Sequence, residues 1–194
     1  TSTRLNEDIL SDAASNTMSL NISPTYSSTY KLIPGKNLNT DEFWNGSSEP
    51  NQSSSNYRYA SIYFPNNPST ISDDRYYTNN HFAVIKSSVA TTTFNGSYNA
   101  TLVGIYNGNY YYMSDQSTNW ANQKTRFQTP HSNMLIIESM EELEWIKSKR
   151  TTFTSRSNNH WWIGLEQNHS ATDYSHPRGG WYWVDGSKLS NSGQ

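Results

Sequence analysis

Trp161-Trp162-Ile163-Gly164-Leu165 and Trp181-Tyr182-Trp183-Val184-Asp185-Gly186 are the two stretches whose reading decides the fold. Four of the chain's seven Trp lie in them. Successive side chains of a strand point to opposite faces, so Trp161 and Trp162 cannot enter one core together. The pattern puts Trp162 and Gly164 on one side, and Trp161, Ile163 and Leu165 on the other. Trp181 and Trp183 share a face, and Asp185-Gly186 after them is a hairpin-type turn signal. As a pattern alone, this is a pair of aromatic core strands in a β-rich domain.

Working outward, the chain of 194 residues is long enough for one large domain or parts of two. Hydrophobic content is 33% and charged content 15%, with Asn, Ser, Thr and Tyr filling the gap. Aromatics reach 14%, which a disordered chain would lack, so a packed core is expected with the polarity in loops and surfaces. Net charge is -2 and no charge block occurs, which argues against nucleic acid and against polybasic membrane attachment. With no Cys, disulfides, thiolate metal sites and Cys catalysis are excluded. No run approaches the roughly 20 apolar residues of a membrane helix, so no membrane insertion is expected. The opening Thr1-Ser2-Thr3-Arg4 does not read as a signal peptide. Six Asn occupy N-glycosylation acceptor patterns: Asn21, Asn45, Asn51, Asn95, Asn99 and Asn168. In so Asn-, Ser- and Thr-rich a chain that number arises by chance, so the count alone is weak evidence of glycosylation.

Other segments carry local signals. Asn56 to Tyr63 alternates as a strand, and Phe82-Ala83-Val84-Ile85 reads as another. Ser139 can cap a helix with Glu142 as its capping-box partner, and Leu143, Trp145 and Ile146 supply an apolar face. Ser87 to Thr93 is polar and β-branched, and with the acceptors Asn95 and Asn99 after it, 89–103 reads as an inter-domain linker. Tyr30 to Leu38 aligns without gaps with Trp181 to Leu189, and Leu20-Asn21-Ile22 aligns with Ile163-Gly164-Leu165, the mark of a degenerate internal repeat. The five His, at 81, 131, 160, 169 and 176, fall in no metal or nucleophile motif, and no acid-base or covalent constellation is evident. The reading is therefore of a non-enzyme, with no catalytic residue and no cofactor-binding residue.

The run Trp162-Ile163-Gly164-Leu165, a polar loop, and Trp181-x-Trp183-x-Asp185-Gly186-Ser187 together resemble the central signature of C-type lectin-like domains, in a disulfide-free, microbial-type form. Upstream, Gly108 to Ser114 resembles the family's first strand, Asn119-Trp120 the start of its first helix, and Met134 to Ile146 the approach to its second. Phe127 stands where the first Cys is usual. The resemblance implies an α+β fold of mixed antiparallel sheets with two helices and long loops. Its structural signature is Trp162, Gly164, Leu165, Trp181, Trp183 and Gly186. In this family a Glu-Pro-Asn loop and an Asn-Asp element hold Ca²⁺ and sugar hydroxyls. Here Glu49-Pro50-Asn51 and Asp73-Asp74 match, which implies Glu49, Asn51, Asp73 and Asp74 as metal ligands. Ser72 replaces the element's Trp, and the acidic residue expected near Tyr57 is missing.

Residues 1–88 thus read as the back part of one lectin-like unit and 104–194 as the front part of a second, neither complete. Three arrangements satisfy this: a stretch of a tandem array, one permuted domain completed by its own residues 38–88, or copies joined head to tail in a filament. The array or filament is the favoured reading, because residues 1–37 are surplus to a permuted domain. Function is then expected to be that of an extracellular or cell-surface glycosylated structural or adhesive protein, self-associating or contacting neighbouring repeats. The alternative is a calcium-dependent carbohydrate-binding module with glycans as partners.

Overall fold

A computed structural model of the chain describes residues 43–44, 50, 57–64, 70–75, 80–156 and 160–189. All belong to one compact unit, Leu32–Gln194. The proposed internal repeat at 20–38 lies outside the described residues. The Tyr-rich and β-branched runs form strands: β1 (Tyr57–Tyr63), β2 (Thr70–Arg75), β3 (Phe82–Ser87), β4 (Thr93–Phe94), β5 (Tyr98–Tyr106), β6 (Asn109–Ser114), β7 (Ser132–Met134), β8 (His160–Gln167) and β9 (Trp181–Trp183). Two α-helices, α1 (Trp120–Phe127) and α2 (Met140–Ser148), lie between β6 and β8, and a 3₁₀ stretch, Lys149–Arg156, follows α2. The fold is α+β, a mixed sheet with two helices, as the lectin-like resemblance implied.

Strand order in the sheet is β2-β1-β8-β3-β6-β5-β4, with β7 pairing β3 and β9 pairing β8. The signature strand β8 lies antiparallel to β1, with Ile62 opposite Trp161 and Ser61 opposite Trp162. On its other side it meets β3 in parallel, through Phe82 with Trp161 and Ala83 with Trp162. Strands from 57–87 and from 98–183 are therefore hydrogen-bonded into one sheet. The segment 89–103, expected as a linker, instead holds β4 and much of β5. Its Phe94 is buried with Ile85, Ala100, Tyr112 and Phe127. The overlooked signal is Asn95-Gly96, with φ of 44° and 73°, at the centre of a tight turn closed by Ser97 N–H to Phe94 O at 3.1 Å within the three-residue hairpin loop between β4 and β5. Positive φ at both central residues is what such a tight hairpin turn needs, and Asn-Gly supplies it most cheaply. Asn107-Gly108, with φ of 46° and 75°, repeats the device between β5 and β6.

The facing expected for β8 is found. Trp161, Ile163 and Leu165 join Trp181 and Trp183 in the main core, while Trp162 packs on the other side with Trp120, Met134, Val184 and Ala83. Both faces are covered, so the strand reads as an unbroken apolar run rather than an alternating one. Three of the buried indole N–H groups bond carbonyls: Trp120 to Ile163 O at 2.7 Å, Trp161 to Arg156 O at 3.1 Å, Trp162 to Thr118 O at 3.0 Å. Without such partners each buried donor would carry a desolvation penalty of about 1–3 kcal/mol.

Both helices start where the sequence indicated. Asn119 Oδ1 accepts from Asn122 N–H at 2.9 Å, and Ser139 Oγ from Glu142 N–H at 3.0 Å. Helix α1 buries Trp120, Gln123 and Phe127, and α2 buries Glu142, Leu143 and Ile146, each set on one helical face. Glu142 does not complete the expected capping box on the Ser139 amide but accepts from the amide one residue earlier. Its Oε1 accepts from Tyr111 O–H at 2.6 Å and Lys86 Nζ at 3.0 Å, and its Oε2 from Glu138 N–H at 2.6 Å. The buried carboxylate thereby ties α2 to β3 and β6. Burial, followed by the charge of Glu142, pushes the Tyr111 phenol far above its ordinary range, so it stays a donor.

Gly164 is the tightest point of the fold. A Cβ there would come within 2.9 Å of Met134 O and of Val184 Cγ2, and 3.1 Å of Leu135 O. Backbone oxygens cannot turn aside, so Gly164→Ala should destabilise the protein by about 1–3 kcal/mol, the cost of an overpacked core. Urea unfolding followed by Trp fluorescence measures this; a variant as stable as the parent would show that the β7–β8 contact gives way.

Candidate functional site

Glu49 and Asn51, half of the metal set read from the sequence, lie outside the described residues. Asp73 and Asp74 follow one another in β2, with Asp73 opposite Ala60 and Asp74 opposite Tyr59 in β1. Asp73 is buried. Among the described residues no three His, Asp or Glu side chains come together as a metal site. Since Ca²⁺ takes about six to eight oxygen ligands, the described pair does not by itself make a calcium site. On the neighbouring strand, β1 departs from regular register between Tyr57 and Tyr59, and the residue at that irregularity is the cation Arg58.

Of the glycosylation acceptors, Asn21, Asn45 and Asn51 lie outside the described residues. Asn99 and Asn168 are exposed. Asn95 is also exposed, but its Nδ2 donates to Thr125 O at 2.7 Å and Arg126 O at 3.0 Å, closing the end of α1. A glycan would attach to that same nitrogen, so the folded state favours Asn95 as a helix cap.

A polar cleft of about 560 Å³ opens between α1, β1 and the loop 168–180. Its walls are built by the signature strands: Glu166 and Gln167 continue β8, and Tyr182 and Trp183 come from β9. Lys124 of α1 bonds Glu166 Oε1 at 3.0 Å across it, and Arg58 and Tyr59 of β1 complete the wall. Tyr59 is itself held by stacking on Trp120, with ring centres 4.3 Å apart. The loop is fixed at its base. Gln167 Nε2 donates to Pro177 O at 2.9 Å and Gly179 O at 2.8 Å, and Asn168 N–H donates to Gly180 O at 2.7 Å. Trp181 Nε1 donates to the same Pro177 carbonyl at 3.0 Å. Of these residues the sequence had singled out Trp181 and Trp183 as signature positions and Asn168 as a glycosylation acceptor; Arg58, Tyr59, Lys124, Glu166, Gln167 and Tyr182 were not among the site residues read from it. The mixed charged and amide residues around the two Trp runs were the available signal, but no motif spans them.

His169 lies in the wall with its ring near that of Tyr174, and its Nε2 is 3.2 Å from Gln167 Oε1. Burial, then the charges of Arg58 and His176, hold its pKa below the ordinary value of 6.5. The folded state thus prefers the neutral ring, which leaves Nδ1 as an acceptor when Nε2–H donates to Gln167. Just beyond the cleft, Asp173 pairs with Lys188 at 2.8 Å and accepts from Tyr182 O–H at 2.8 Å.

Comparison with known proteins follows the same lines. The chain is similar to C-type lectin domain family 4 member M of Gorilla gorilla gorilla, 37% identical over 89 residues, which is 46% of this chain and 21% of that protein. It is similar to CD209 antigen of Papio hamadryas, 37% identical over 84 residues, 43% of this chain and 19% of that protein. The chain carries a C-type lectin-like domain. It spans about a fifth of the length of the curated relatives it matches. No family model and no solved structure matches it. Among the described residues no helix is long and apolar enough to cross a membrane.

The hydrogen bond from Lys188, followed by that from Tyr182, outweighs desolvation and holds Asp173 below the ordinary carboxylate value of 3.8. A depressed folded-state pKa stabilises above the unfolded value and is lost as pH falls through the folded one. Asp173→Asn should therefore be the less stable protein near neutrality, by under about 1 kcal/mol for so exposed a pair, and the gap should close as pH falls below the ordinary carboxylate value and through the lower folded-state one. Thermal unfolding of both proteins across that range measures it; a gap that widens toward acid contradicts the assignment.

Proposed function

We propose that the domain is a carbohydrate-binding module working outside the cell or at its surface. The observation that carries this reading is the similarity to proteins that include one named for its C-type lectin domain, borne on a fold of lectin-like architecture. The cleft adds chemical support: charged, amide and phenol groups line its wall, able to donate to and accept from sugar hydroxyls, and Tyr59 and Tyr182 offer aromatic surface. A volume of about 560 Å³ suits a small saccharide, within the usual range for ligand pockets. Binding, rather than catalysis, is the role that such a wall supports.

Calcium remains part of the proposal through Glu49, Asn51, Asp73 and Asp74, which would offer carboxylate and amide oxygens to the ion. The repeat, filament or adhesive subunit draws less support. Its motive was an opening half whose closing strands were missing, and β8 has β1 on one side and β3 on the other. Self-association through a bare β8 edge loses its basis with that pairing.

A glycan array run with added calcium and again with chelator tests the function. Specific saccharide signal is expected. Loss of the signal in chelator supports the Glu49 to Asp74 set, whereas survival supports a site that needs no ion. An array without saccharide signal under either condition would falsify the carbohydrate-binding reading.

A further inference from the structure

We propose that Tyr59, Glu166 and Tyr182, together with Lys124, form a calcium-independent site for a neutral saccharide held through adjacent hydroxyls. The inference rests on the carbohydrate-binding reading and deepens it by naming the ligand class and the residues that receive it.

Register carries the first step. Glu166 of β8 lies opposite Tyr59 of β1 on one side and opposite Tyr182 of β9 on the other. Directly opposed residues share a face of the sheet, with Cβ atoms about 5 Å apart. The three side chains therefore stand in one row across three strands, a carboxylate between two phenol rings, and all three line the cleft. Each is half-buried, so each keeps surface for a ligand. A pyranose has apolar C–H surface and polar edges, and the row sets ring surface beside a strong acceptor.

Hydrogen-bond chemistry carries the second. A sugar hydroxyl both donates and accepts, so it is best met by a donor and an acceptor close together. Lys124 Nζ can only donate and the ionised Glu166 can only accept, and they lie 3.0 Å apart. Half-exposed pairs of this kind contribute little to stability, so the pair can open around a ligand at small cost. Lys124 then donates to a hydroxyl oxygen, and the Glu166 oxygens accept the protons of that hydroxyl and its neighbour. These bonds are charge-assisted and roughly twice as strong as neutral ones. Lys124 keeps its seat 5.2 Å from the centre of the Trp120 ring, the ring on which Tyr59 stacks. The Gln167 bonds hold the loop base beside the row, which lowers the ordering cost of binding.

The same pair selects against charge. A ligand carboxylate on the row meets Glu166, and a ligand ammonium meets Lys124, whereas a neutral sugar meets neither repulsion. His169 prefers its neutral form and adds no charge. Arg58 has an interaction of its own, and no bond to the sugar is assigned to it. Calcium fits poorly for a related reason. Glu166 is the one carboxylate among the described residues of the wall, with an ammonium against it, and Ca²⁺ takes about six to eight oxygen ligands.

The test is NMR titration in chelator with the methyl glycosides of glucose, galactose and mannose, each beside its 6-carboxylate and 2-amino counterparts. At least one neutral glycoside should bind, about tenfold tighter than either charged counterpart. Glu166→Gln and Lys124→Gln should each weaken it about tenfold, the loss expected for a bond to a charged group. Tyr182→Leu should weaken it as well, and Tyr182→Phe, which keeps the ring, should not. Thermal unfolding of each variant checks the fold, and any one of Glu166, Lys124 and Tyr182 carries the test if another variant fails to fold. A charged counterpart binding as tightly as the neutral sugar overturns the proposal, as do folded Glu166 and Lys124 variants with the parent's affinity. Saccharide binding seen only with calcium also overturns it, while leaving the broader carbohydrate-binding reading standing. Failure of every sugar, here and on the array, with and without calcium overturns both.

Discussion

Gly164 donates its amide to Leu135 O at 2.8 Å and accepts at its carbonyl from Val184 N–H at 2.8 Å. Those two bonds clasp β8 between the chain after β7 and the chain after β9, and they form because no side chain stands in the way. Once β8 is held there, Trp161, Ile163 and Leu165 must face one core and Trp162 the other. A strand buried on both faces cannot slip by one residue without exchanging its whole set of side chains between two cores of different shape. The register of β1 and β3 against it, and with them the position of Arg58, Tyr59 and Glu166 in the cleft, follows from that constraint.

Much of the site's architecture follows from the same strand. Glu166 and Gln167 are the last residues of β8, and Tyr182 faces them from β9. The strand's core half sets where its polar end emerges, and Gln167 then anchors the loop by bonding Pro177 and Gly179 carbonyls. Removing the Gln167 amide would leave two loop carbonyls without these partners, in a segment that has no regular secondary structure to fall back on. The cleft is thus an extension of the core rather than a loop laid over it.

The sequence made the signature strands, their facing and the start of α2 legible because each rests on local chemistry, alternation at Trp161-Trp162 and a capping side chain at Ser139, while the start of α1 at Asn119-Trp120 was legible through the family resemblance. What it concealed was relational. Asn95-Gly96 is a hairpin turn, but the surrounding Thr, Ser and Asn gave 89–103 the composition of a linker, and only the burial of Phe94 shows it to be packed. Glu142 looked sufficient as a capping residue, while its bonds to Tyr111 and Lys86 come from strands about 30 and 56 residues away along the chain. The pairing of β1 with β8 is hidden for the same reason: the two strands lie about 100 residues apart, and no local pattern announces which distant strand will be the neighbour. The cleft residues belong to three separate segments and become a set only in the folded sheet.

The absence of Cys bears on how such a fold stands without covalent staples. Phe127, at the place where the first Cys is usual in the family, ends α1 against Phe94, with ring centres 5.2 Å apart and nearly perpendicular, and Phe94 meets Tyr112 in the same way at 5.4 Å. A disulfide contributes about 2–4 kcal/mol, largely by restricting the unfolded chain. Burying one Phe side chain is worth about 1.5–3 kcal/mol, and an edge-to-face pair adds about 0.5–1.5 kcal/mol. The two terms together match the staple, and they act on the folded state rather than the unfolded one. Phe127 can therefore hold α1 to the sheet as firmly as a cross-link would. The hold depends on the β4–β5 hairpin bringing Phe94 into place, so the segment that reads as a linker is what allows the helix to do without one.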